Sequence, residues 1–223
     1  MKRKEDENAS KNTITDSRKM RTPDVKYVSA YFNTVGGNNV VVIPKRKSNE
    51  IEMIDTHNDM KSLNSLPSEL RSDAYRRKAD NNTWKPPKSL FRFEPLLQEY
   101  YVYDPWRVLV VSVLLNRTTG VQVRRVLSNL FYLCPNAKSC IEVEVGKIEQ
   151  VIRTLGLQNN LAKALQRLSH EYLYGSWTHV TQLHCVGKYV GDAYAIFCTG
   201  EWRNVTPTDE VLLSYWNFLS RIM

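Results

Sequence analysis

Two short stretches near the C-terminus contain the residues best suited to chemistry. Residues 183–189 read Leu-His-Cys-Val-Gly-Lys-Tyr, and residues 205–209 read Val-Thr-Pro-Thr-Asp. The Val-Gly pair predicts a tight turn between two short helices, in which Gly187 can adopt a positive φ and bring the backbone close to a ligand. The helix that follows would direct its unpaired N–H groups and its positive dipole end towards a phosphate, with the charge of Lys188 beside them. An ordinary corner between two helices is the structural alternative.

Asp209 has two compatible interpretations. The stretch 206–209 fits a capping box, with Thr206 as the N-cap, Pro207 at the first helical position and Asp209 reaching back. A helix N-terminus also favours an ionised carboxylate, and an anion is the group that stabilises a positively charged sugar in a transition state. Asp209 is therefore the candidate catalytic residue.

The elements that must position these groups are helices, because the apolar period is helical from Phe91 onward. Asp104 and Pro105 form a good helix start, and the segment from there to about residue 116 is apolar nearly all round, as in a buried central helix. Further helices are predicted at about 121–133, 144–154, 158–173 and 207–219. The sequence thus predicts an all-α domain over residues 84–223, entered through the extended stretch Trp84-Lys85-Pro86-Pro87.

The N-terminal residues differ in composition. Residues 1–83 are rich in Asn, Ser, Asp, Lys and Arg and have no sustained period, which predicts a largely disordered basic region. The chain has a net charge of +8, most of it in the first 88 residues, and this suits a polyanionic partner. Basic triplets at 2–4, 45–47 and 76–78 are compatible with nuclear import.

Membrane and metal-dependent classes are disfavoured. No apolar run approaches the roughly 18 residues of a membrane span, and no apolar stretch follows the N-terminus as in a secretory signal. The four cysteines include no C-x-x-C pair and have no His at zinc-finger spacing, so we expect no metal and no cofactor. Most of them are best explained as small core side chains in a reducing compartment.

Taken together, the motifs resemble the helix-hairpin-helix DNA glycosylase superfamily. Within it, they are most similar to the mismatch-specific thymine/uracil glycosylases fused to a methyl-CpG-binding domain. The resemblance runs from about residue 84 to 220, in the same order and with compatible spacing. It rests on the stretches 84–87, 104–106, 115–118, 155–157, 183–184, 187–189, 196–198 and 201–202.

The resemblance implies a helix-hairpin-helix glycosylase fold and removal of thymine or uracil mispaired with guanine in double-stranded DNA, in base excision repair. Asp209 matches the catalytic aspartate, and Tyr189 and Gln98 match residues lining the pocket for the flipped base. Arg117 matches the residue that fills the vacated stack, although its polar loop could equally be an exposed loop. The other residues expected to contact DNA are Asn116, His184, Val186, Gly187 and Lys188, together with Leu155 or Leu157 in the loop that touches the opposite strand.

Position 189 distinguishes two chemistries. Bifunctional members carry a Lys nucleophile where this chain has Tyr189, and Lys188 should point about 100° away on the helix. Without an amine nucleophile no Schiff base forms, so the sequence predicts a monofunctional DNA N-glycosylase without lyase activity. Two alternatives stay open: a glycosylase/lyase that uses Lys188 on damaged pyrimidines, and a catalytically weakened DNA-binding module. The second is suggested by Cys185, which replaces the first Gly of the family's hairpin, and by Glu210-Val211, which replaces two basic-type residues.

The same resemblance sets expectations about partners. We expect a nuclear monomer with no membrane association, acting on double-stranded DNA with a flipped mispaired pyrimidine. Proteins that repair abasic sites could act downstream of it.

Overall fold

The computed structural model describes residues 60–77, 84–89, 95–116, 118–156 and 158–223. Their α-helices are α1 (Pro105–Leu115), α2 (Gly120–Leu133), α3 (Ala137–Glu142), α4 (Val145–Ile152), α5 (Gln158–Tyr174), α6 (Lys188–Tyr194) and α7 (Glu210–Ile222). Short 3-10 turns lie at Leu63–Ser65, Ser68–Arg71, Asp73–Tyr75, Leu97–Tyr100, Arg153–Leu155, Val180–Gln182 and Trp202–Asn204. Within these ranges there is no strand, only an isolated antiparallel bridge between Arg76 and His179. The prediction of an all-α fold is therefore confirmed.

Helix α1 is the central helix that the sequence predicted. The Asp104 carboxylate accepts a hydrogen bond from the Arg107 N–H at 3.1 Å, and Pro105 occupies the first turn. Every residue from Val108 to Leu114 is buried. Because the helix is apolar on all sides, neighbours can pack all round it, and it contacts α2, α5 and α6.

Side-chain hydrogen bonds in the polar loop after α1 end that helix and begin α2. Thr118 Oγ1 donates to the Leu114 carbonyl at 2.7 Å and closes the end of α1. Thr119 and Gln122 then form a capping box at the start of α2. Asn116, Thr118 and Thr119 thus lie between the two helices, and Gly120 is already the first residue of α2.

The second half of the core is a group of helices around α5. Both α3 and α4 pack on α5, and the Gln166 side chain on α5 donates to the carbonyls of Cys140 at 3.0 Å and Val143 at 2.6 Å. The sequence did not predict α3. It is only six residues long and is started by Asn136, whose side chain accepts from the Ser139 N–H.

Helix α6 continues through a π-helical turn, Ala195–Thr199, and ends at Gly200 in the left-handed region. At this φ of 79° a side chain is strained, and a Cβ at Gly200 would lie 3.0 Å from the Trp84 ring, so glycine is favoured. The Trp84 indole N–H donates to the Ile196 carbonyl at 2.7 Å. The segment 84–89 contains no helix or strand, and its Trp84 packs against the end of this helix.

For residues 60–77 the structure differs from the expectation of disorder. They form 3-10 turns and bury Leu66, Ala74 and Tyr75 against the helices. The sequence pattern missed this because single turns have no period to detect. The remaining residues of the predicted disordered region, 1–59 and 78–83, lie outside the described part of the chain.

No helix in the described ranges is long and apolar enough to cross a membrane.

Candidate active site and DNA-binding hairpin

Asp209 is the N-cap of α7. Its Oδ1 accepts hydrogen bonds from the backbone N–H groups of Val211 at 3.1 Å and Leu212 at 3.0 Å. The expected cap at Thr206, with the helix beginning at Pro207, is therefore wrong. The helix begins at Glu210, because an aspartate carboxylate caps better than a threonine hydroxyl.

The structure brings together Tyr189 and Gln98, the two residues that the resemblance implies for the base pocket; their role in a pocket stays a prediction. The Gln98 side-chain amide donates to the Tyr189 phenol oxygen at 3.2 Å, and both side chains are buried. Burial, and then the nearby Asp209 carboxylate, raises the pKa of Tyr189. The phenol therefore stays neutral at physiological pH and keeps a hydrogen to donate.

A buried carboxylate positions Gln98. Glu99 accepts from the Ser89 N–H at 2.8 Å, the Ser89 hydroxyl at 2.8 Å and the Leu96 N–H at 2.7 Å. These bonds tie the turn that carries Gln98 to the extended entry segment. Sequence reasoning missed Glu99, since nothing in the pattern marks it as buried.

Lys188 points away from this pair. Its ammonium donates to Asp192 Oδ2 at 2.7 Å and to the Thr206 carbonyl at 2.9 Å. Asp192 is almost fully buried, and its other oxygen accepts from the Tyr75 hydroxyl at 2.7 Å. Lys188 thus links α6 to the segment that leads to Asp209. The four-residue spacing from Lys188 to Asp192 is a visible signal of an ion pair on a helix.

The turn of the hairpin is built differently from the prediction. Gly187 has φ −111° and ψ −164°, which is extended backbone, so the expected positive φ at this position is wrong. Cys185 has the positive φ instead, at 59°, and is the one non-glycine residue of the described ranges to do so. A Cβ at Gly187 would meet nothing within 4 Å, so glycine leaves the surface open there.

The first residues of α6 have amides without a backbone acceptor. Among the described residues, the first backbone hydrogen bond of α6 runs from Gly191 N–H to the Gly187 carbonyl. The N–H groups of Lys188, Tyr189 and Val190 precede it and have no acceptor there. Of these residues only Lys188 is partly exposed, and Tyr189 and Val190 are buried, so binding of a phosphate by the hairpin stays a prediction. Val186 offers no free group: its side chain is buried, its N–H donates to the Leu183 carbonyl and its own carbonyl accepts from Lys61.

His184 and Asn116 line one cavity of about 330 Å³, together with Cys185 and Asn160. The His184 backbone N–H donates to the buried carboxylate of Glu171, which also receives Arg167 at 2.9 Å. Burial, and then Arg167, lowers the pKa of His184. Two residues expected to contact DNA thus share a wall beside the hairpin.

Leu155 does not offer its side chain to a partner, because it is buried in the core. It precedes Gly156, whose φ is 70°. A DNA contact made by Leu155 itself would therefore have to come from its backbone. Arg117 and Leu157 lie outside the described residues.

In the described ranges, no three His, Cys, Asp or Glu side chains come together as metal ligands. Cys134, Cys140 and Cys198 are buried and Cys185 is partly exposed, and none of these four forms a disulfide.

Known proteins are similar to this chain, although no family model matches it. A "methyl-CpG-binding domain protein 4-like protein" of Arabidopsis thaliana is 49% identical over 192 residues, which cover 86% of this chain and 41% of that protein. A "thymine-DNA glycosylase" of Aeropyrum pernix is 32% identical over 44% of the chain and 47% of its own length. A "thymine/uracil-DNA glycosylase" of Pyrobaculum aerophilum is 34% identical over 30% of each. The chain thus spans less than half the length of each of these relatives.

Two solved structures are also similar. One is a thermostable thymine-DNA glycosylase, with a TM-score of 0.41 and 24% identity over 44% of this chain and 48% of its own. The other is a non-covalent endonuclease III–DNA complex, with a TM-score of 0.40 and 22% identity over 53% of this chain and 65% of its own. The sequence relatives confirm the resemblance to the DNA glycosylases that the motifs indicated.

Proposed function

We propose that this chain is a DNA glycosylase that hydrolyses the N-glycosidic bond of thymine or uracil mispaired with guanine. The observation that carries the proposal is the Asp209 carboxylate, fixed at the start of α7 next to the buried Tyr189–Gln98 pair. The names of its relatives from Aeropyrum pernix and Pyrobaculum aerophilum support the choice of base. Double-stranded DNA is the proposed partner, and a nuclear location belongs to the same proposal.

In the proposed reaction, the C1′–N bond breaks and a C1′–O bond to water forms. The base leaves with the electron pair of the broken bond and takes up a proton, and water loses one. Asp209 stabilises the positive charge that develops on the sugar, since a pre-positioned anion needs no reorganisation as the charge appears. The products are a free pyrimidine and an abasic site.

Tyr189 and Gln98 would sort the flipped base. The phenol oxygen already accepts from Gln98, so its hydrogen is free to donate to a pyrimidine carbonyl. The hairpin amides and the positive end of α6 would hold a phosphate beside the flipped nucleotide. Arg117 would fill the vacated stack, and Asn116, His184 and the 155–157 loop would lie against the opened duplex.

The proposal includes the absence of lyase activity. A lyase needs an unprotonated amine within reach of C1′, and the Lys188 ammonium is engaged by Asp192 and Thr206. A glycosylase/lyase reaction through Lys188 would first have to break both contacts.

A nicking assay tests both parts. Protein is incubated with a labelled G·T or G·U duplex, and half of each sample is treated with alkali, which cleaves abasic sites. Wild type should give breaks after alkali only, and Asp209→Asn none. Glu210→Gln, which removes an exposed carboxylate one residue further on, is the matched control and should retain activity.

Two outcomes would overturn parts of the proposal. Breaks by Asp209→Asn at the wild-type rate would remove Asp209 from the reaction, and an inactive wild type would favour a DNA-binding module. A protein–DNA band trapped by borohydride with wild type, but lost in Lys188→Met, would establish the lyase.

A further inference from the structure

The hairpin has a second arrangement of polar groups, made of backbone carbonyls. The Lys61 ammonium donates to the carbonyl of Leu183 at 3.0 Å, of Val186 at 3.2 Å and of Thr181 at 3.4 Å. A lysine ammonium has three hydrogens and no acceptor. The three carbonyls therefore match its complete set of donors.

The segment that carries Lys61 is fastened on the same part of the hairpin. The Gln182 side chain donates to the Lys61 carbonyl at 3.2 Å, and the Thr181 hydroxyl donates to the Leu70 carbonyl at 2.7 Å. Burial is the largest influence on the pKa of Lys61 and lowers it. The ammonium has thus exchanged part of its hydration for these carbonyls, which is characteristic of a built contact rather than a surface lysine.

These three carbonyls belong to the hairpin whose first α6 amides are proposed to bind a DNA phosphate. Thr181 lies in the short helix before the turn, Leu183 ends that helix, and Val186 immediately precedes Gly187. Carbonyl dipoles that point at one place repel each other unless a donor or a cation lies between them. The turn also contains a non-glycine residue, Cys185, in the left-handed region, where a Cβ costs free energy.

We propose that Lys61 is a positioning residue for DNA binding. Its ammonium holds the carbonyls of residues 181, 183 and 186 in convergence and so keeps the first amides of α6 directed at a DNA phosphate. The proposal rests on the proposed function for the identity of the ligand. It places a part of the DNA-binding unit in residues 60–77, outside the predicted domain 84–223.

Three variants of the full chain test this. Lys61→Met keeps the apolar stem and removes the donors, while Lys61→Arg keeps the charge but supplies a planar fork that does not match three converging carbonyls. Lys138→Met removes the same charge from an exposed side chain on α3 and is the control. The readout is the single-turnover rate of base removal from a G·T duplex, measured against protein concentration.

Lys61→Met should raise the half-saturating concentration about tenfold or more, with the maximal rate within about twofold of wild type; tenfold in affinity corresponds to about 1.4 kcal/mol. Lys61→Arg should behave more like Lys61→Met than like wild type, and Lys138→Met should change neither value by more than about twofold. An unchanged half-saturation in Lys61→Met, or a loss confined to the maximal rate, would overturn the proposal.

Chemical rescue separates a specific contact from a general loss of stability. In Lys61→Ala, ethylammonium should lower the half-saturating concentration relative to tetramethylammonium at the same ionic strength, because only the former can donate to the carbonyls. Wild type should not distinguish the two salts. Equal half-saturation of Lys61→Ala in both salts would count against the proposal.

Amide hydrogen exchange tests the Lys61 contact in the free protein, independently of base removal. The Val186 amide, which donates to the Leu183 carbonyl at 3.2 Å, should exchange faster in free Lys61→Met than in wild type, and equal protection would overturn the proposal without any DNA. If wild type removes no base, the proposed function has failed, and this measurement still decides the role of Lys61. If Lys61→Met does not fold by circular dichroism, Lys61→Arg provides the same comparisons.

Discussion

At the scale of single residues, Asp209 has both a structural and a proposed chemical task. Its Oδ1 caps α7 through two backbone N–H groups. In the described part of the chain no hydrogen bond reaches its Oδ2. One oxygen thus fixes the orientation of the carboxylate and the other is available to the reaction.

The two tasks of Asp209 can be separated by substitution. We compare Asp209→Asn, Asp209→Ser and Asp209→Ala. Asn and Ser are good N-caps and Ala is not, so the Ala variant should have a free energy of unfolding about 1 kcal/mol lower than the Asn and Ser variants. All three variants should lose base removal, by about a hundredfold or more, because none supplies an anion. Urea unfolding and the nicking assay measure the two effects. If activity followed stability across the series, the carboxylate would be only a cap.

Two histidines, the buried His179 and the partly buried His184, should make stability depend on pH. Burial is the largest cause that lowers the pKa of His179 and of His184; Arg76 acts in the same sense on the first, as do Arg167 and Lys61 on the second, while Asp73 and Glu171 oppose it. Since the unfolded pKa is about 6.5, the unfolded chain binds more protons below that pH, and stability falls as the pH is lowered. Each histidine that stays neutral in the folded protein lowers the free energy of unfolding by at most about 0.8 kcal/mol between pH 7.5 and 6.

Thermal melting between pH 7.5 and 6 measures this slope. The double variant His179→Gln, His184→Gln should show a flatter profile than wild type. The window stops at pH 6 because the pKa of Asp192 is raised, chiefly by burial, and its protonation favours the folded state at lower pH. A wild-type profile as flat as that of the double variant would contradict the assignment.

At the scale of elements, the helices were predictable and their ends less so. The apolar pattern located α1, α2, α4, α5 and α7, because α1 is apolar nearly all round and each of the others buries one side against the core. The predicted cap of α7, Thr206, lies three residues before the observed cap, Asp209, since Thr206, Pro207 and Asp209 all suit a helix start. Asp209 is the better N-cap of the candidates, and the Thr206 carbonyl accepts instead from Lys188, a contact between distant residues that the sequence does not show.

The hairpin illustrates the same limit inside a turn. Composition points to Gly187 as the residue with special backbone angles, yet Cys185 has the positive φ. A single sequence shows that a turn must occur near 184–187 but not which residue takes the left-handed conformation. Packing decides it, since Val186 and Leu183 are both buried and fix the residues between them.

Substitution of Cys185 should therefore reverse the usual order of Gly and Ala. A Cβ in the left-handed region costs roughly 1–2 kcal/mol, whereas glycine adds about 0.4–1 kcal/mol of unfolded-state entropy. Cys185→Gly should thus be more stable than Cys185→Ala by about 0.5–1 kcal/mol, and the Ala variant controls for the loss of the thiol. Urea unfolding of both proteins tests this. A more stable Ala variant would show that the turn accommodates the Cβ without strain.

At the scale of the whole molecule, the site depends on parts far apart in sequence. Asp192 is buried between the Tyr75 hydroxyl and the Lys188 ammonium, and Lys188 reaches the segment before Asp209. Residues 60–77 are thus joined to α6, and through Lys188 to the segment before α7, by one buried carboxylate. The sequence could not predict this, because isolated apolar residues such as Leu66 and Tyr75 form no periodic pattern. Their burial depends on the surface of the folded helices that they cover. Only the family resemblance, and no pattern in the sequence, implies that Gln98 and Tyr189 line the same pocket.

The contribution of this segment can be measured with two shorter chains, one beginning at residue 60 and one at residue 84. The shorter chain loses buried Leu66, Ala74 and Tyr75 and leaves Asp192 with one partner fewer. Removal of one large buried side chain typically costs 3–5 kcal/mol, so the chain from residue 84 should melt at least ~10 °C lower than the chain from residue 60. Tyr75→Phe in the longer chain isolates the bond to Asp192 and should cost about 1.5–3 kcal/mol. Equal melting temperatures for the two chains would show that residues 60–77 lie on the domain without stabilising it, and would restore 84 as the functional boundary.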